Sequence, residues 1–372
     1  MSSRPQTSDR ATVRGARRAW SILARHARTP RGYRRERIDR GIKVRSDDIF
    51  AVASLRDLSY LVAPRAAAVL ALLAFPLLQA VVSPYWQTVL LHTLVIALLA
   101  LSWDLLASVG LLSLGQSLFF GFGGYAAGWI DARLGLGPLL GIPLATVAGA
   151  LLATVALFPL LRLRGIYFGV ITFALPLLVM RVIETTGALG GTEGLSGLTP
   201  LPSRTAELYL VTAAALVTIY AYRRLSASDY GLVFRAIRDN DRAVMASGHD
   251  IQRVKAQAVF LAALPATFAG AFVTHHYQFV GMPAFAMEYS TLPLTSAVIG
   301  GAGTFVGAAV GAFILVPLSE LLREFGSLRV VVYSVALLVF TIGLPEGIFR
   351  FAVRKYTQLE RLVPVEEADH GA

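Results

Sequence analysis

The sequence contains no cysteine. Disulfides, thiolate metal centres and cysteine nucleophiles are thereby excluded, and nothing in the fold depends on the redox compartment. Charge is scarce: 15% of the 372 residues are Asp, Glu, Lys or Arg, against roughly 25% in an ordinary soluble domain. Only three lysines occur, Lys43, Lys255 and Lys355, and none belongs to a GxxxxGK[ST] phosphate loop, so the chain does not hydrolyse ATP by that route. There is no GxSxG elbow, no HExxH pair and no carboxylate pair placed for acid–base work in the apolar body, so no catalytic residue is assigned and a membrane enzyme is disfavoured. The first apolar run begins only near Ala66, so no cleavable signal peptide is expected.

What the chain has in excess is hydrophobicity, at 55% of residues and a mean hydropathy of +0.62. This composition predicts an all-α, polytopic membrane protein. Apolar runs cover Ala66 to Val82, Thr88 to Ala107, Leu111 to Ile130, Pro138 to Leu160, Gly165 to Ile183, Glu207 to Tyr222, Ala256 to Phe279, Tyr289 to Gly301, Thr304 to Leu321 and Val330 to Leu344. They predict a bundle of eight to ten membrane helices, with the short Tyr289 run re-entrant or broken, because about 20 helical residues are needed to span about 30 Å of hydrocarbon.

The net charge of +11 is concentrated at one end, since residues 1–65 carry 16 Lys+Arg against 6 Asp+Glu. That stretch reads as a basic cytoplasmic tail, disordered or lying on anionic lipid, with nucleic-acid binding disfavoured by the membrane body behind it. The transmembrane domain then occupies 66–350 and a second cytoplasmic tail 351–372. The positive-inside rule places the amino terminus in the cytoplasm, with Arg162, Arg164, Arg223, Arg224 and the cluster Arg350, Arg354 and Lys355 on the same side.

Between two long apolar runs lies a polar insert, Ser226 to Lys255. Gly231 to about Asn240 reads as a short helix capped by Ser228 or Asp229, with Leu232, Val233, Ala236 and Ile237 on one face and Arg235, Arg238 and Arg242 on the other. A second helical piece covers roughly Asp241 to Ser247 and stops at Gly248. The opposite loop, Glu184 to Ala206, holds five glycines between Gly187 and Gly197. Two readings stand for it: a flexible linker, or a compact loop folded back over a central path.

Glycine also repeats every four residues inside the apolar runs, at Gly124 and Gly128 and at Gly303, Gly307 and Gly311, a spacing that lets helix backbones approach closely. Polar residues at membrane depth are His92, Asp104, Ser113, Gln116, Thr172, His275, His276 and Glu320. Asp104 is expected to face the bundle interior or a wet cavity. Adjacent His275 and His276 cannot both point inward from one helix and are read as interfacial, with no metal site assigned.

Several stretches, taken together and in order, resemble the permease subunits of ATP-binding-cassette importers for branched-chain amino acids, in particular the LivM-like branch. They are GLLSLGQSLFFGFGGYAAG (Gly110 to Gly128), LRLRGIYFGVITFAL (Leu161 to Leu175), GGTEGLSGL (Gly190 to Leu198), GLVFRAIRDNDRAVMASG (Gly231 to Gly248), GMPAF followed by VIGGAGTFVGAAVGA (Gly281 to Ala312), and LPEGI (Leu344 to Ile348). The resemblance implies an inner-membrane protein of bacteria, fed by an external binding protein. It implies pairing with a second, LivH-like permease or a second copy, and drive from separate ATPase subunits that carry the ATP and magnesium, so that this chain itself holds no cofactor. The polar insert then corresponds to the coupling loop, with Gly231, Arg235, Arg238, Asp239, Asn240, Asp241 and Gly248 at the ATPase contact. Asp241 stands where glutamate is usual, Val244 replaces an alanine, His249 an isoleucine, and Pro265 enters a helix that is usually rich in serine or alanine. Ser113, Gln116, Tyr167, Thr172, Thr192 and Glu193 are the path candidates, being polar positions within the matching motifs. Similar chains carry urea, short amides or other amino acids. Two competing functions remain: an ion-gradient transporter built around Asp104, and a membrane enzyme using His275 and His276.

Overall fold

One long apolar stretch becomes the centre of the bundle. The structure, a computed structural model, describes residues 33–37, 83–163, 165–322, 346–357 and 360–364, with a few isolated positions besides. The expected run Ala66 to Val82, most of Val330 to Leu344 and most of the basic tail lie outside the described residues. Helix α1 (Pro84–Ser108) starts on a proline, whose missing N–H costs nothing in a first turn. It is apolar on all sides, the pattern of a buried helix, and 89% of its most apolar window is enclosed.

Around it stand α2 (Gln116–Leu134), α3 (Pro138–Leu157, continued by a 3-10 turn to Arg162), α4 (Ile166–Thr186), α5 (Arg204–Ser226) and α7 (Ile251–Tyr277). Among the described residues, α1, α3 with its extension, α4, α5 and α7 are long and apolar enough to cross a membrane. With α2, 19 residues and about 28 Å long, they make the expected all-α polytopic bundle. α4 is the most peripheral, with 28% of its apolar window buried.

Glycine sets the closest crossings. A Cβ at Gly123 would strike the Thr267 carbonyl and one at Gly270 the Phe120 carbonyl, so α2 and α7 meet backbone to backbone. Gly149 brings α3 to the same point, and the Thr267 hydroxyl donates across it to the Thr146 carbonyl at 2.9 Å. Gly124 faces Thr274 of α7.

The short run forms half of a hairpin. Helices α8 (Glu288–Gly300) and α9 (Val306–Leu321) are about 20 and 24 Å long over their described residues. They pack where Gly300 meets the Gly307 carbonyl and Gly311 the Ser296 carbonyl. Their connecting turn, 301–305, sits beside Asp104 near the end of α1, while Glu320 accepts a hydrogen bond from Tyr85 at its start. The α9 arm therefore runs back along α1 over about 28 Å, from Asp104 to Tyr85, while α8 starts part-way, where Tyr289 lies near His92, so the short run is the broken arm of the pair. Gly303 lies in this turn with φ +79, off the helix face expected for it, whereas Gly307 and Gly311 lie at the α8–α9 contact. Gly300→Val must separate the two helices, at about 3 kcal/mol or more; we expect a large loss of monodisperse protein on size exclusion after detergent extraction, and an unchanged yield would refute the close contact.

The chain divides into two compact units. The larger, 62–352, contains the bundle, and Gly347, just before α10 (Ile348–Thr357), lies there against Gly301. The smaller unites 1–61 with 353–372, where β1 (Tyr33–Arg37) pairs antiparallel with β4 (Glu360–Pro364), Tyr33 opposite Pro364.

Candidate functional site

Between α5 and α7 the polar insert folds as α6 (Asp229–Ala246), a helix broken at Asn240 (φ −158°, ψ 94°). Ser228, in extended conformation, precedes the first piece. The Asn240 side chain accepts from the Ala243 N–H at 3.2 Å and so caps the second. Gly248, with φ +87, ends it. Asp250 then caps α7 by accepting from the Gln252 and Arg253 N–H groups.

The buried side of α6 overlaps the expected one, since Ile237 is buried and Val233 and Ala236 pack against the core, but it is rotated away from Leu232. Gly231, Phe234, Ile237 and Val244 face the bundle, while Leu232 is 61% exposed. The phase is set by Gly231, where a side chain would run into the carbonyls of Leu225 and Ser226. Arg235, Arg238 and Arg242 all lie on the exposed side, with Asp239 beside them and Asp241 half-buried. Arg235 donates to the Ser226 carbonyl at 2.8 Å, and Arg238 pairs with Asp239 at 3.2 Å. These bonds orient the guanidinium groups without burying them.

Above α6, the segment joining α1 to α2 is not helical. Gly110, at φ +83, presses against the helix: a Cβ there would lie 3.2 Å from the Arg238 Cα. Further along, the Trp103 indole N–H donates to the Ser113 carbonyl at 2.8 Å, and the Ser102 hydroxyl donates to Gln116 Oε1 at 2.9 Å. The Leu114 N–H donates to the Thr172 hydroxyl at 3.1 Å, and Gly115 is in backbone contact with Thr172. Ser113, Gln116 and Thr172 are thus brought together in one buried knot that ties α1, α2 and α4, and the Gln116 amide nitrogen has no partner in it. Tyr167 stands apart at 71% exposure, and Thr192 and Glu193 lie exposed in the loop at the far end of α4.

That far loop is compact rather than a free linker. β2 (Leu195–Ser196) pairs antiparallel with β3 (Phe279–Val280), and the Val280 and Leu195 side chains sit against Gly128. Gly128 therefore seats this ribbon rather than another helix. The Asp131 carboxylate accepts from both the N–H and the hydroxyl of Thr199, at 2.6 and 3.0 Å. His275 reaches the Thr199 carbonyl at 2.8 Å, and His276 reaches Glu207 at 2.9 Å. Both rings are enclosed by protein, although one helix face was not expected to turn both inward, and they stand in the last turn of α7. The last turn of α7 is enclosed on two sides, by the loop and by α5, so each ring finds its own partner. Among the described residues no group of three or more His, Asp or Glu is arranged to hold a metal ion.

Asp104 is fully buried and accepts from the N–H groups of Gly303 and Phe305, the latter at 2.8 Å. It is a backbone anchor in this conformation, which accounts for a carboxylate at that depth without an ion path. The sequence reading passed over Glu288 and Phe234. Glu288 begins α8 just outside an apolar run counted from Tyr289, and Phe234 lies on the turn that the misplaced phase turned outward.

The family described as the branched-chain amino acid transport system / permease component matches residues 85–342. The high-affinity branched-chain amino acid transport system permease protein LivM of Escherichia coli is 27% identical, with 69% of this chain and 68% of that one covered. Its namesake from Salmonella typhimurium is 26% identical over the same shares. A probable branched-chain amino acid transport permease protein LivM of Methanocaldococcus jannaschii is 24% identical, over 55% of this chain and 66% of that one. No solved structure gives a significant match.

Proposed function

Because this chain belongs to the family of branched-chain amino acid transport permease components, we propose that it forms half of the path of an importer for branched-chain or related amino acids, driven by ATP hydrolysis on separate subunits. An external binding protein delivers the substrate, and a second permease or a second copy supplies the other half. The α6 end faces the cytoplasm, the side favoured by Arg162, Arg223, Arg224, Arg235, Arg238 and Arg242. The membrane is the bacterial inner membrane, with 1–65 and 351–372 as cytoplasmic tails around a transmembrane domain of 66–350 and its coupling loop of 226–255.

The observation that carries this reading is the broken helix α6 in contact with the buried knot. ATP-driven closure of a partner ATPase must move something rigid, and α6 offers a capped two-piece helix whose exposed side carries Arg235, Arg238 and Asp239. Displacement of Arg238 is transmitted to Gly110, from there to the Ser113 and Gln116 segment, and through Thr172 to α4. Ser113, Gln116 and Thr172, buried here, are the path residues that such a motion would uncover.

Reconstitution with the partner subunits tests the proposal. Leucine uptake is expected to require ATP and to stop when the partner ATPase is inactivated. Uptake that persists without ATP would overturn it.

A further inference from the structure

Glu288 is a charge in an unexpected place. It opens α8, and the next residue, Tyr289, stacks on Phe120 of α2 with ring centroids 4.1 Å apart and lies 6.3 Å from the ring of His92. His92 is four residues, about 6 Å, along α1 from Thr88, whose hydroxyl accepts from Arg204. Phe120 is at the level of Gly270, which lies six residues, about 9 Å, below His276 on α7. Two independent helices thus put the Tyr289 ring, with Glu288 just before it in the chain, roughly 6–9 Å below the polar group of Arg204, Glu207 and His276. At this depth Glu288 is exposed, and no ion pair among the described residues engages it, unlike Glu207, which His276 and Arg204 hold. A carboxylate cannot face hydrocarbon there cheaply, so this side of the hairpin borders water or a polar partner.

The neighbouring groups restrict what it meets. Thr291 and Thr295 follow Glu288 at i+3 and i+7, on the same side of α8. Their hydroxyl hydrogens go to the carbonyls of Met287 and Thr291, so toward an incoming group their oxygens act as acceptors. Glu288 and Glu320 both lie within electrostatic reach of His92. The stripe therefore presents acceptors, negative charge and an aromatic wall, which suits a small cation bearing N–H donors and repels an anion.

We infer that Glu288, with Thr291 and Thr295 below it, receives the α-ammonium group of the amino acid as it enters the membrane. The inference rests on the importer reading above. It makes Glu288 a recognition point for the amine, distinct from the buried knot near α6.

The test uses the complete transporter in proteoliposomes with leucine as the probe, comparing wild type, Glu288→Gln and Glu288→Asp. The Gln variant is expected to copurify with the second permease as wild type does, yet to lower leucine uptake about tenfold or more, the scale of a lost charge-assisted bond. The Asp variant, which keeps the charge, should recover at least half of the uptake. Gln uptake within twofold of wild type would overturn the inference, as would an Asp variant as inactive as Gln. Loss of the second permease from the Gln complex would overturn it too, because Glu288 would then pair with that subunit. A wild-type complex that hydrolyses ATP but moves no leucine would instead count against the importer reading, and this inference would fall with it.

Discussion

Gly110→Ala is expected to reduce leucine uptake per ATP hydrolysed while leaving the complex assembled. Two effects act at this position. The backbone is at φ +83, which costs an alanine about 1 kcal/mol. The new methyl group would also stand 3.2 Å from the Arg238 Cα, closer than ordinary contact, so α6 or the α1–α2 segment must shift by a few tenths of an ångström. Gly135→Ala separates the two. Gly135 has φ +62 and nothing within 4 Å of its missing Cβ, so it carries the strain without the collision. Changes of roughly 0.5–2 kcal/mol along a contiguous network correspond to a fall of about 2- to 30-fold in coupling. Gly110→Ala should fall in that range, and Gly135→Ala should stay near wild type. Equal behaviour of the two variants would show that the Gly110 contact transmits nothing.

The difference between what could be read in advance and what could not follows the range of the interactions. The two pieces of α6 were legible because their signals are local: a glycine stop at Gly248 and arginines at helical spacing. Its buried face was legible only in part: Val233, Ala236 and Ile237 pack inward as expected, whereas Leu232 is exposed. Leu232, Val233 and Phe234 are consecutive, so periodicity alone does not choose among them, and the choice falls to Gly231, whose packing role leaves no apolar signal. The start of α2 was misjudged for a similar reason. Leu111 continues an apolar run, yet 110–115 unwinds because Trp103, Ser102 and Thr172 offer its backbone and side chains partners from other helices. A two-residue strand such as Leu195–Ser196 is shorter than any alternation pattern and exists only through Phe279–Val280, far along the chain. The enclosure of both His275 and His276 was not legible because it depends on Thr199 and Glu207. The membrane class, by contrast, follows from composition alone.

Asp104→Ala tests the anchor of the α8–α9 hairpin and should have the largest effect on stability. The carboxylate accepts from two N–H groups of the turn, those of Gly303 and Phe305. Phe305 holds a left-handed backbone, φ +53, that a bulky residue adopts only when its surroundings enforce it. Its ring is buried and lies 5.5 Å from that of Tyr222, so the turn has little room to escape toward solvent. Alanine would leave both donors without an acceptor at about 1–3 kcal/mol each, and a melting temperature lower by about 10 °C is expected for the detergent-solubilised complex. Asparagine keeps one acceptor oxygen but brings a donor that faces an N–H, so Asp104→Asn should lose roughly half as much. The ordering is what distinguishes an anchor from an ion carrier. A carrier would lose transport in the asparagine variant with its stability unchanged, whereas an anchor loses transport only in proportion to the folded hairpin that remains. If Asp104→Asn melted like wild type and still failed to transport, the backbone-anchor account of Asp104 would have to be abandoned.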